Sequence, residues 1–200
     1  LTKLSSKSYL KNDGATEPSC NLEDLKENSD DLILLTGNYR NFFGQLFYKN
    51  KLKDFERILN YLKNCFKDRL YIEIQRHNEN HEKNFENYLL NISNSFKLPL
   101  IATQEIFYLN ENMYEAHDAL ICIGEKNFID DKNRFRYSNQ HYFKSQVDLE
   151  KLYSDLPEAL VNNYNFHLRF NFKPKKSKPI LPSIANKQSG SPEEELSKLA

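Results

Sequence analysis

The stretch Leu70-Tyr71-Ile72-Glu73-Ile74-Gln75-Arg76-His77 decides the fold, because the segments on either side fix what kind of sheet it joins. Its first six residues read as a strand. Upstream, Leu52, Phe55, Ile58, Leu59, Leu62 and Phe66 recur at spacings of three and four, which predicts a helix over 52–66 with one apolar stripe. Further upstream, Leu32-Ile33-Leu34-Leu35-Thr36-Gly37 is a continuous apolar run closed by glycine, the pattern of a strand buried on both faces. Downstream, Phe85, Leu89, Ile92 and Phe96 mark a helix over 84–96, and Leu98-Pro99-Leu100-Ile101-Ala102-Thr103 reads as a third buried strand. Strand, helix, strand, helix, strand at this spacing is βαβαβ, a parallel sheet covered by helices with right-handed crossovers. The pattern fits an open sheet and a closed barrel equally. In both, polar residues at the C-terminal strand ends face any site.

Outside this core, Leu1–Leu10 reads as the end of a helix and 11–18 as a loop dense in turn formers. Asn21 is placed to cap a short helix over 22–27, with Asp24 at its N-terminal end. Met113–Ile123 reads as a helix stopped by Gly124, and 130–142 as irregular chain rich in Arg, Asn and Tyr. Leu149, Leu152, Leu156 and Leu160 give helical spacing over 147–164, with Pro157 opening a new helix after Asp155. The predicted organisation is a globular domain over 1–170, a basic Pro/Ser-rich extended linker over 171–192, and the first turns of a further helix over 193–200.

The 200 residues carry 28 Lys+Arg against 28 Asp+Glu, which argues against a nucleic-acid or membrane footprint spread over the whole surface. Apolar residues make up only 39 %, but 14 Phe and 12 Tyr supply large buried areas, so the chain is globular. Its mean hydropathy is −0.75. No apolar run approaches the roughly 20 residues that span a bilayer, and Leu1-Thr2-Lys3-Leu4 opens no signal peptide. The first residue is not Met, so a processed chain or a piece of a longer one is expected. Cys20, Cys65 and Cys122 form no C-x-x-C pair and suit buried free thiols in a reducing cytoplasm.

Chemistry concentrates after the second and third strands. Glu73 and His77 lie where a site would form, and His77 and His81 are four apart, a zinc-like spacing on a helix. Asn78 and Asn80 point instead to a loop, no third ligand is near, and a solvated strand end is the preferred reading. Glu105 follows the third strand and could act as a base or ligand, but Phe107 stands where a second ligand would point. His117, between Glu115 and Asp118, reads as a hydrogen-bonded structural histidine. Residues 159–192 contain no acid. Arg169, Lys173, Lys175, Lys176, Lys178 and Lys187 interleave there with Phe166, Phe170 and Phe172. Lys173, Lys175, Lys176 and Lys178 are the candidate phosphate contacts, against a solvated linker as the simpler reading.

Five segments in order resemble the alpha subunits of bacterial replicative DNA polymerase III, within their N-terminal polymerase-and-histidinol-phosphatase (PHP) domain. They are Leu32–Gly37, Tyr71–His77, Leu98–Thr103, Tyr114–Ile123 and Leu156-Pro157-Glu158-Ala159-Leu160. The resemblance runs from Leu1 to about Asn165. It implies a partial PHP-type (β/α)7 barrel, α/β in class, with parallel strands, surrounding helices and a linker toward the polymerase core. It also implies a fragment: family members open with an H-x-H strand, and the polymerase aspartates would follow Ala200.

Family members with an intact metal site carry N-D-V-H where this chain reads Gln104-Glu105-Ile106-Phe107. His77 matches a site histidine, so His77, Glu105 and Phe107 are remnant metal-site positions, with no metal and no catalytic residue expected here. The resemblance implies a scaffold inside a DNA-directed DNA polymerase, a nucleotidyltransferase of chromosomal replication, whose remainder would need magnesium. Expected partners are the rest of the alpha subunit, a proofreading exonuclease subunit, and DNA through the parent. The rival expectation is an active metal-dependent PHP phosphoesterase or exonuclease.

Overall fold

From the N-terminus the elements are α1 (Thr2–Leu10), α2 (Leu22–Glu27), β1 (Leu34–Leu35), α3 (Phe42–Tyr48), α4 (Leu52–Phe66), β2 (Leu70–Gln75) and α5 (Glu82–Phe96). They continue with β3 (Leu100–Thr103), α6 (Tyr114–Glu125), α7 (Gln146–Leu152) and α8 (Pro157–Phe166). This structure is a computed structural model that describes residues 1–11, 14, 17–179, 191, 193, 196 and 197. The chain divides into two units, Leu1–His167 and Leu168–Ala200.

In the first unit the three strands form one sheet in the order β1-β2-β3, parallel throughout. Leu34 pairs with Leu70, and Ile72 to Gln75 pair with Leu100 to Thr103. The βαβαβ reading holds, and among the described residues the sheet stays open rather than closing into a full barrel. Its core is made by Phe55, Leu59, Leu62 and Phe66 of α4 and Phe85, Leu89 and Ile92 of α5, with Leu70, Ile72 and Ile74 of β2. Phe55, Leu59, Leu70 and Ile72 are wholly buried. Each such side chain contributes about 1.5–3 kcal/mol on leaving water.

The expected first strand is shorter and wetter than the apolar run suggests. Only Leu34 and Leu35 are strand, both half-buried, because β1 is the sheet's edge and has a strand neighbour on one side only. Thr36 N–H still donates to Tyr71 O, at 3.2 Å, before Gly37 turns away with φ +81°. The opposite edge is sealed by a helix. Asn163 Oδ1 of α8 accepts from Ala102 N–H (3.0 Å) and its Nδ2 donates to Ala102 O. Asn162 Nδ2 donates to Leu100 O at 2.7 Å. The two amides complete the hydrogen bonding of β3 as a neighbouring strand would.

Asn21 caps α2 as the sequence predicts, with a reciprocal bond pair between Asn21 and Asp24. Three boundaries differ from expectation. Helix α3 is not announced by any cap, and Gly44 lies inside it because a Cβ there would meet Tyr39 O at 1.9 Å. Gly124 does not stop α6, which continues to Glu125 and ends on Lys126 in the left-handed conformation. The 98–103 strand begins at Leu100, although Pro99 O still accepts from Ile72 N–H. The 147–164 reading resolves into α7 and α8, with Pro157 in the first turn of α8 as predicted.

In the second unit, residues 170–179 are exposed and neither helix nor strand. Lys187, Pro182 and Ser189 lie outside the described residues. Of the predicted closing helix, Glu193, Leu196 and Ser197 are helical, and the rest lies outside the described residues.

Candidate functional site

Each strand of the sheet delivers polar groups to one place at its C-terminal end. After β1, Gly37 turns the chain so that its N–H donates to Glu73 Oε2 at 2.9 Å. Glu73, near the end of β2, has its other oxygen bonded by the Thr103 hydroxyl of β3 and by Gln75 Nε2. Its own N–H donates to Thr36 Oγ1. One buried carboxylate thus ties all three strands together, and both of its oxygens are engaged.

Past β2 the chain makes a loop with Asn78 in the left-handed conformation, so His77 and His81 do not share a helix face. His81 is exposed and its ring lies by Tyr39 and Tyr48. His77 is buried, and its Nε2 accepts from Glu105 N–H (3.1 Å). That bond places the ring proton on Nδ1, which faces Glu82 Oε1 at 3.2 Å. Burial alone would raise the Glu82 carboxyl, but hydrogen bonds from the His77 ring and from the Glu79 and His77 backbones hold it below the usual range.

A second histidine completes the layer. Residues 107–108 run parallel to 141–143, with Phe107 N–H donating to His141 O and Phe143 N–H to Tyr108 O. This pairing brings His141 against His77 with the rings stacked 4.0 Å apart. Phe107 lies on the other side of His141 at 5.1 Å, and His117 stacks on Phe107. His141 is 1 % exposed, and both of its nitrogens face oxygens, Nδ1 toward Glu105 O and Nε2 toward Glu79 Oε1. Of the positions singled out in the sequence, Glu105 thus meets His77 through its backbone N–H, and Phe107 lies one ring further along the stack, on His141.

His117 departs from expectation. Its Nδ1 is buried without a hydrogen-bond partner, so stacking holds the ring rather than a polar bond. Burial, aided by His141, pushes this imidazole below its ordinary value, with Asp118 pulling weakly the other way. Asp118 instead pairs with Arg134 and Arg136.

The cation of the site is Arg40, four residues after Thr36. Its Nη2 donates to both oxygens of Glu79, its Nε donates to Tyr39 OH at 2.9 Å, and Tyr39 OH donates to Glu79. Its guanidinium lies over the rings of Tyr137 (4.4 Å) and Phe135 (4.8 Å). Arg40, Glu79, His141 and Tyr137 escaped the sequence reading. For Arg40 the available signal was its place just past a strand end. Glu79 and His141 meet across 62 residues, and no local pattern announces them.

His77 Nε2 and both oxygens of Glu73 and of Glu79 accept hydrogen bonds from the chain, Phe107 offers no lone pair, and Glu105 Oε2 is buried without a hydrogen-bond partner. Among the described residues no group of three or more His, Cys, Asp or Glu is arranged to hold a metal. Lys173, Lys175, Lys176 and Lys178 are exposed and belong to the second unit. No helix among the described residues is long and apolar enough to cross a membrane.

Comparison with known proteins agrees with the architecture. Residues 1–77 match the family described as the PHP domain. The chain is 34 % identical over 196 residues to DNA polymerase III subunit alpha of Caulobacter vibrioides, covering 98 % of the chain and 17 % of that protein. It is 33 % identical to the same subunit of Rickettsia bellii, covering 94 % and 16 % respectively. It is 28 % identical to that of Vibrio cholerae, covering 92 % and 16 %. The chain thus spans about a sixth of the length of these relatives.

Proposed function

We propose, from the premise that the chain belongs to the DNA polymerase III alpha-subunit family, that it is a scaffold segment of a replicative DNA polymerase whose strand-end site no longer does metal chemistry. The observation that carries this reading is the engagement of His77 and Glu73 by the chain's own groups. His77 Nε2 is bonded by a backbone N–H, both Glu73 oxygens accept protein donors, and Phe107 stacks where a ligand would be. That network stabilises the end of the sheet, and the one Glu105 oxygen left without a hydrogen bond falls short of the three protein ligands that a catalytic metal site needs. Template-directed nucleotidyl transfer, with its magnesium, belongs to the rest of the alpha subunit, and this segment adds no catalytic residue. The free thiols Cys20, Cys65 and Cys122 suit work in the cytoplasm.

The test is metal content and manganese-dependent exonuclease activity of the full-length protein, purified free of other nucleases. Near-zero metal and no cleavage are expected. A tightly held ion lost on His77→Ala, together with cleavage, would overturn the reading in favour of the metal-dependent phosphoesterase. The observation that favours that rival is the buried Glu105 Oε2, which has no hydrogen-bond partner.

As a scaffold this segment docks the proofreading exonuclease subunit. A pull-down of that subunit, repeated with exposed helix charges reversed, checks it, and capture indifferent to every reversal would count against a surface here. Lys173, Lys175, Lys176 and Lys178 add phosphate contacts to DNA held by the parent. Binding should then fall steeply with salt and weaken in Lys175→Glu/Lys176→Glu.

A further inference from the structure

We propose that Arg40 is the resident cation of the strand-end site: its guanidinium holds the position between Glu79 and Glu105 that a divalent ion would have to enter, and the local fold depends on its charge. The inference rests on the scaffold reading and names the group that replaces a metal's electrostatic work.

Four segments converge on this side chain. The loop after β1 brings Arg40 and Tyr39, the loop after β2 brings Glu79, the loop after β3 brings Glu105, and the 135–141 loop brings Phe135, Tyr137 and His141. Arg40 donates to both Glu79 oxygens, and its Nη1 lies 3.8 Å from Glu105 Oε2. That Glu105 oxygen is buried and has no hydrogen-bond partner, and it also lies 3.8 Å from His141 Nδ1. Glu79 is only 10 % exposed and collects Tyr39 OH, His141 Nε2 and Ser138 N–H besides Arg40. A carboxylate so placed needs a positive neighbour, since burial of an unpaired charge is costly.

The guanidinium is built in rather than visiting. Tyr39, Phe135 and Tyr137 surround it at 4.4–5.1 Å, and its Nε is held by Tyr39 OH. Arginine does not lose its proton in proteins, so it cannot become neutral to admit a second cation. A metal ion could reach Glu79 only by expelling Arg40 from its cage. Seating of Arg40 and divalent binding are therefore mutually exclusive, and this holds whatever residue stands at position 107.

The experiment compares thermal unfolding of the full-length protein with Arg40→Met, Arg40→Lys, Glu79→Gln and Arg40→Met/Glu79→Gln. Each is measured with chelator, with manganese and with zinc. The parent midpoint should not respond to either metal. Arg40→Met should unfold about 5 °C or more below the parent in chelator and recover at least part of that loss in metal. Arg40→Lys should keep more of the parent's stability than Arg40→Met. The double variant, freed of the unpaired carboxylate, should lie above Arg40→Met in chelator and ignore metal.

If Arg40→Met is as stable as the parent, or if the double variant is no better than Arg40→Met, the inference fails while the scaffold reading stands. If the parent itself takes up stoichiometric metal with Arg40 intact, the scaffold reading fails first. Should Arg40→Met not fold, the Glu79→Gln and double variants still decide: charge compensation requires the double variant to fold.

Discussion

Replacing Asn163 by alanine should cost about 2 kcal/mol of folding stability, because one amide closes the open edge of β3. Its Oδ1 accepts from Ala102 N–H at 3.0 Å and its Nδ2 donates to Ala102 O at 2.5 Å. Ala102 is only 5 % exposed, so its backbone groups find water poorly once the amide is gone. Two net hydrogen bonds are worth about 1 kcal/mol each, and a buried group left unpaired adds roughly 1–3 kcal/mol. Against this, Asn163 is itself exposed, so solvent can take over one of the two positions, and alanine gains up to about 0.7 kcal/mol in helix propensity. The balance is a loss of about 1–3 kcal/mol. Asn162→Ala, which removes a single bond to Leu100 O, should cost about 1 kcal/mol. Asn163→Asp keeps an acceptor for the N–H but sets a carboxylate against a carbonyl oxygen, and should be no better than alanine. Urea unfolding with the slope held common to parent and variants gives the differences directly. A loss below about 0.5 kcal/mol for Asn163→Ala would show that water already satisfies this edge, and the sealing role of α8 would be refuted.

Two other perturbations test the same account. Glu73→Gln replaces an acceptor-only group facing three donors, Gly37 N–H, Gln75 Nε2 and the Thr103 hydroxyl, by an amide whose NH2 must face one of them, so about 2–4 kcal/mol should be lost in the same unfolding assay. A neutral outcome would mean that Glu73 does not tie the strands. Stability should also fall at acid pH. The Lys11 and Lys7 ammonium groups lower the Asp24 carboxyl to about 2, and Arg134 lowers Asp118. The folded state then binds fewer protons than the unfolded state. The contribution is complete above about pH 4–5 and is lost as pH falls through about 4 toward 2. Asp24→Asn should flatten that acid limb of a midpoint-against-pH curve, and an unchanged limb would remove Asp24 from the account.

Much of the fold was legible because its signals are local. The stripe Phe55, Leu59, Leu62 and Phe66 has helical spacing and becomes the core face of α4. Asn21 caps α2 through a bond three residues away. Helix α3 was missed because Asn41 makes no side-chain cap and Gly44 discourages a helical reading, although packing against Tyr39 requires it. The length of β1 was overread because an apolar run tells how hydrophobic a segment is, not how many neighbours it has. The site was legible to the extent that strand ends locate it, which is why His77 and the Glu105 backbone meet and Phe107 lies close by, on His141. The Arg40–Glu79–His141 convergence was not, because its bonds join residues 39 and 62 positions apart.

These observations give a physical account of how a polar pocket can keep its shape without a metal ion. A metal at strand ends does two separable jobs: it polarises a substrate, and it holds together acids and imidazoles that would otherwise repel or go unsatisfied. Only the second is needed for the sheet to end properly. Here Glu73 is held by donors from three strands, and His77 by the Glu105 backbone N–H. His141 stacks on His77, and Phe107 stacks on His141. A guanidinium supplies the positive charge for Glu79, and it does so with fixed geometry and no exchange with solvent cations. The same feature that makes Arg40 a good fastening makes it useless as a Lewis acid: its N–H groups donate, but none accepts a substrate lone pair as a metal would. On the proposed scaffold reading, the arrangement that satisfies the Glu79 carboxylate is also the one that leaves the site without a Lewis acid.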